Sequence, residues 1–118
     1  MKDTFTALRD VLKSYENEMV PTRDSNDEYL LDSKFIGPNQ KPIFFAGVRR
    51  GKAYVSFLLF PIYMFPDLLE PISDGLRRRM QGRSCFNFRK IEQGQLQELE
   101  QLTRRSAERL AKEGVPLR

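Results

Sequence analysis

Residues 41–66 read KPIFFAGVRRGKAYVSFLLFPIYMFP, the densest apolar run of the chain, and this run contains no acidic residue. Ile43, Phe44, Phe45, Ala46 and Val48 form a β-branched and aromatic segment, Arg49, Arg50, Gly51 and Lys52 a polar turn, and Tyr54 to Phe60 a second such segment. Two strands joined by so short a loop must pair antiparallel. In the second strand Val55, Phe57 and Leu59 point one way, and Tyr54, Leu58 and Phe60 the other. Both faces are therefore apolar, and the second must be covered by the following segment, a ligand or a second subunit.

Upstream of this hairpin, Phe5, Leu8, Leu12, Tyr15 and Met19 recur at helical spacing and make one core-facing stripe. Asp3 or Thr4 caps the start of that helix, and Val20-Pro21 ends it, because the residue before proline is pushed out of the helical region. Thr22 to Glu28 reads as a loop, Tyr29 to Ile36 as a strand, and Gly37-Pro38-Asn39 as its break.

Downstream, Pro66 suits the first position of a short helix through Leu69, which Pro71 stops. Ser73 reads as an N-cap, with Asp74 in the first turn, Arg77, Arg78 and Arg79 near the last, and Gly82 as the C-cap. Each charge then opposes the helix dipole, which makes the arginine run structural. Ser84 to Arg89 alternates as a strand with Phe86 and Phe88 on one face and Cys85, Asn87 and Arg89 on the other. A last helix spans about 93–112 with Leu96, Leu99, Leu102 or Thr103, Ser106 and Leu110 on its buried stripe, ending at Gly114 and Pro116. Arg104, Arg105 and Arg109 pair with Glu100, Glu108 and Glu113 on its surface.

The expected fold is one α+β domain over 1–118, a two-layer sandwich. Its four-stranded, mainly antiparallel sheet carries the N-terminal and C-terminal helices on one face, and a short helical segment precedes the last strand. A chain of 118 residues buries about two-thirds of its unfolded surface and needs no staples. No apolar run approaches the ~20 residues of a membrane span and no signal-peptide core follows Met1, so a cytoplasmic location without membrane contact is expected.

The chain has one cysteine and no histidine. These counts exclude an intramolecular disulfide, the usual Ser-His and Cys-His nucleophile pairs and histidine-ligated metals. Acid-base chemistry falls to Asp, Glu, Lys, Tyr or Cys, so a non-catalytic role without a cofactor or metal site is expected. The net charge of +4 is segregated: residues 1–32 hold eight acidic and four basic side chains, and 33–118 eight acidic and sixteen basic. Two windows, 33–66 and 75–91, contain no acid, and a one-signed surface of this kind concentrates anionic partners.

In carrying MFPDLLEPI…LRRRMQGRSCFNFRK, residues 29–110 resemble the bacterial YdhG-like group of small domains of unknown function. The most telling part is the segment Arg79, Met80, Gln81, Gly82, Arg83, Ser84, Cys85, Phe86, Asn87, Phe88. The resemblance implies a compact α+β domain. An iron-handling role suggested for the wider group, whose fold is similar to frataxin, would here fall to the carboxylates Asp24, Asp27 and Glu28 of a loop.

The most site-like group is the sheet face that the helices leave open. There Cys85, Asn87 and Arg89 share a surface with either Tyr54 and Ser56 or Val55 and Phe57, depending on strand register. The first register makes a shallow aromatic-walled pocket for a small carboxylate or phosphate; the second makes Cys85 a buried apolar filler, and an inert thiol is the favoured outcome. Arg49, Arg50 and Lys52 at the hairpin tip, with Arg77 to Arg79, Arg83, Arg89 and Lys90, are the candidate phosphate contacts of a nucleic-acid-binding accessory protein. A solvated basic face outweighs that reading, since no nucleic-acid-binding signature accompanies them. Surplus aromatic surface from Phe60 to Phe65 points to a homodimer. The expected role is thus the binding of a small anionic ligand or a protein partner.

Overall fold

The computed structural model describes residues 3–116. The chain runs α1 (Thr4–Lys13), β1 (Val20–Asp24), β2 (Glu28–Ile36), β3 (Pro42–Arg50), β4 (Val55–Leu59), α2 (Pro61–Met64), a 3-10 turn (Pro66–Leu69), α3 (Asp74–Arg77), β5 (Cys85–Phe88), α4 (Gln93–Glu113) and β6 (Val115–Pro116). It is an α+β fold around an antiparallel sheet of order β1-β2-β3-β4-β5, with β6 pairing the end of β2. The strands follow one another as a meander, as short polar loops demand.

Two rows of cross-strand neighbours build the inner face, one across four strands and one across three. Tyr29, Val48, Phe57 and Phe86 stand opposite one another across β2, β3, β4 and β5, and all are fully buried. Leu31, Ala46 and Leu59 form the next row, equally buried. A bulge in the β2–β3 ladder lets Phe45 join them, and its ring meets Tyr15 at a centroid distance of 5.7 Å. From above, α1 contributes Phe5, Leu8, Val11 and Leu12 to the core and contacts β3 and β4. The Tyr29 hydroxyl, at the rim of this core, donates to Glu16 Oε1 at 2.6 Å, and burial holds the phenol far above its ordinary range.

Five features differ from the sequence expectation. The sheet has five main strands rather than four, because the supposed loop 22–28 lies mostly in β1 and the start of β2. Every residue of β1 is exposed, so an edge strand here carries no hydrophobic alternation, only the backbone ladder to β2. The first helix stops at Lys13, well before Val20-Pro21; hydrogen-bonded turns through Tyr15 then bring Met19 into the core. Asp3 is its cap, accepting from Thr6 N–H at 2.8 Å.

The third difference is α3, capped by Ser73 as expected but ending at Arg77, so Arg78 and Arg79 lie beyond it. Gly82 is not its cap: it takes φ +76° in the turn that leads into β5, a backbone conformation open to glycine. Fourth, a helical turn at Pro61–Met64 that the sequence does not announce precedes the 3-10 turn, and α4 lies close to both and to α1 and α3. Last, of the three arginines expected to pair along α4, only Arg109 does so, with Glu113 and with Asp67 at 2.8 Å. Arg105 instead reaches the Leu68 carbonyl. Among the described residues no helix is long and apolar enough to cross a membrane.

The centre and the rim of this fold carry different loads. Phe57→Ala is expected to cost about 3–5 kcal/mol in urea unfolding, because it opens a cavity in the middle of the buried row. Tyr63→Ala, at a position 48% exposed, is expected to stay within about 0.5 kcal/mol of the parent. Equal costs would contradict the packing described.

Candidate functional site

Strand register decides the outer face. β5 pairs β4 with Asn87 opposite Ser56 and Cys85 opposite Leu58, while Val55–Phe88 and Phe57–Phe86 are the inward pairs. Of the two registers left open by the sequence, this is the one that groups Tyr54 and Ser56 with Cys85, Asn87 and Arg89. The Ser56 hydroxyl donates to Asn87 Oδ1 at 2.7 Å, and the Cys85 thiol lies 3.5 Å from the same oxygen. At the end of the strands the Arg89 guanidinium sits 5.4 Å from the centre of the Tyr54 ring, which is 42% exposed.

Beside this group lies an apolar floor. Gly47 stands between Leu30 and Leu58 in the ladder, and a Cβ there would come within 2.5 Å of Leu30 Cδ2 and 3.2 Å of Phe44 Cζ. The missing side chain lets Leu30 and Phe44 close over the sheet, keeping the outer face flat.

Cys85 is half-buried. Burial pushes its pKa up, outweighing the opposing influence of the Ser56 hydroxyl and the Arg49 charge. The raised pKa favours the thiol form, a weak donor to Asn87 Oδ1.

The hairpin-tip trio is taken apart. Arg49 and Arg50 belong to β3, and adjacent strand residues face opposite ways. Arg49 lies on the outer face with Nε 2.6 Å from Glu28, which also pairs with Arg23 at 3.2 Å. Arg50 turns inward, stacks 4.5 Å from the Phe5 ring centre and pairs with Asp3 at 3.4 Å and Asp27 at 3.8 Å. Lys52 alone stays in the loop, exposed. Asp24, Asp27 and Glu28 are not a loop cluster, and among the described residues no three His, Cys, Asp or Glu side chains gather as a metal donor set.

The sequence names Arg78, Arg79, Arg89 and Lys90 among the candidate phosphate contacts, but not that they meet in one basic cleft at the β5 edge. The Asn87 N–H donates to the Arg79 carbonyl at 2.8 Å, and Gln81 N–H to Cys85 O at 2.8 Å, so the stretch after α3 runs along β5. This docking brings Arg78 and Arg79 beside Arg89, Lys90 and the Tyr54 ring around a cleft of about 410 Å³. Glu92 is the one carboxylate on its wall. None of the four cations has an ion-pair partner among the described residues, whereas Arg77 is occupied by the Leu69 carbonyl. The signal was present in the acid-free window 75–91. A broader groove between the starts of α1 and α4 shares Arg89, Lys90 and Glu92 but adds Asp3 and Arg50, which pair with each other, so its charge is mixed.

Comparison of the chain with protein-family models, with curated proteins and with solved structures finds no match. The site is therefore interpreted from its own chemistry.

The state of Cys85 is directly measurable. Its alkylation by iodoacetamide is expected to be slower at neutral pH than that of a free cysteine, rising only at pH above the ordinary thiol range of about 8.5. A fast, pH-independent reaction between pH 6 and 8 would mean a stabilised thiolate and reopen a nucleophilic role.

Proposed function

We propose that this chain is a cytosolic, non-catalytic binding domain of YdhG-like type, and that its ligand is a small anion, a phosphate or carboxylate, held in the cleft between the β5 edge and α3. One observation carries the reading: Arg78, Arg79, Arg89 and Lys90 converge on one cleft facing a single carboxylate, Glu92, and among the described residues no ion pair neutralises them. Unpaired like charges repel one another and raise the local concentration of anions. Arginine adds planar two-pronged donation to carboxylate or phosphate oxygens. In a two-layer sandwich with helices on the inner side, the outer face of β4 and β5 extends this cleft toward Ser56 and Asn87.

Pyrophosphate at a hundredfold excess over its Kd is expected to stabilise the fold by about 2.7 kcal/mol, read as a rise in melting temperature. The rise should vanish in Arg79→Ala/Arg89→Ala while sodium chloride at equal ionic strength produces none. A shift that survives the double substitution would place the anion elsewhere.

Self-association is a second reading, favoured by a separate patch at the other end of β4. Phe60 and Tyr63 stack at 5.6 Å and 18°, and Tyr63 and Met64 remain 48% and 37% exposed. Sedimentation of the parent as a dimer and of Tyr63→Asp as a monomer would support a homodimer through this patch; a monomeric parent would remove it.

A further inference from the structure

We propose that the anion taken by the basic cleft is the phosphate backbone of a single-stranded nucleic acid whose bases lie across the outer face of the sheet, with Tyr54 as the stacking platform. The inference rests on the anion-binding reading and names the class of ligand that fits the whole surface. Shape comes first. A small molecule is held by enclosure, burying most of its surface in a concave site. Here the polar group Ser56, Asn87 and Cys85 and the apolar Leu58 lie on the outer sheet face, each half-buried, and line neither the cleft nor the broader groove. A flat surface gains affinity by many shallow contacts along an extended ligand.

The chemistry of the surface has the two parts that single-strand binding uses, a stacking ring and a track of cations. Arg89 lies over one face of the Tyr54 ring, and among the described residues no other ring touches it, so the ring offers a platform already backed by a cation. Arg78 and Arg79 lie beside the Phe88 end of β5, and Arg89 and Lys90 follow it, which gathers the cations at the end of the strand next to the Tyr54 ring. Between ring and cations stands Asn87. Its carbonyl oxygen is engaged by Ser56 and Cys85, and its amide N–H groups have no partner among the described residues, leaving two donors for the acceptors on a base edge.

Charge separates this occupant from a second copy of the chain. Two copies meeting through this face would oppose their unpaired arginines and Lys90, whereas a polyanion neutralises them. Base pairing separates it from a duplex, in which the bases are already stacked on one another and cannot reach Tyr54.

Fluorescence anisotropy with a labelled thymidine oligonucleotide of about ten residues tests the proposal, with pyrophosphate melting shifts measured on the same preparations. Four neutralised phosphates give a slope of log K against log salt near −3, so Kd should weaken about fiftyfold between roughly 50 and 200 mM salt. Tyr54→Ala should weaken binding about tenfold with the slope unchanged, Tyr54→Phe should retain it, and Arg79→Ala should flatten the slope by about 0.7. Equal affinity for a duplex, or for inorganic polyphosphate together with indifference to Tyr54→Ala, would overturn the nucleic-acid inference while leaving the phosphate cleft intact. An oligonucleotide that fails to bind at the lower salt, with pyrophosphate still stabilising, overturns it likewise. Loss of both signals overturns both readings.

Discussion

The structure depends on the buried row Tyr29–Val48–Phe57–Phe86, which crosses four strands at one level of the sheet. Side chains alternate along a strand, so seating these four residues against α1 commits every neighbour to a face. A slip of one residue in the β4–β5 ladder would turn Phe86 and Phe88 to solvent and bury Asn87. Burial of each large side chain is worth about 1.5–3 kcal/mol, enough to make that slip prohibitive for a domain of ordinary stability. The polar assembly of Ser56, Asn87 and Cys85 on the far side follows from the packing of phenylalanines on the near side.

Charge is arranged by the same sheet order. The acid-rich first third of the chain supplies α1, β1 and β2, while the acid-free window 75–91 supplies the opposite edge. Pairing with a carboxylate consumes Arg23, Arg49 and Arg50 near β1–β3, through Glu28, Asp3 and Asp27. Among the described residues, the β5 edge has only Glu92 nearby, and Arg78, Arg79, Arg89 and Lys90 form no ion pair. A modest net charge of +4 therefore hides a basic surface on one side of the sheet.

Much of the architecture was legible because it rests on local rules. The hairpin, the strand at Cys85–Phe88, the caps Asp3 and Ser73, and the long terminal helix all have short-range signatures in residue type and period. β1 was illegible for the opposite reason: its five exposed residues, with Pro21 among them, are held by a neighbour's backbone rather than by any pattern of their own. The arginine run was read as a helix end because helix length is set by what the chain packs on. Here the segment after Arg77 leaves the helix to bond the free edge of β5.

By itself the sequence determined the class of the fold, the side-chain alternation that puts Cys85, Asn87 and Arg89 together, and the absence of histidine chemistry, since each is a property of neighbouring residues or of composition. Only the tertiary structure decided that Ser56 and Tyr54 join them, that Arg49 and Arg50 part, and that Arg78 and Arg79 come to the same edge. Those outcomes depend on register between strands and on docking across some ten to thirty residues of chain, where burial of the whole inner face outweighs any local preference.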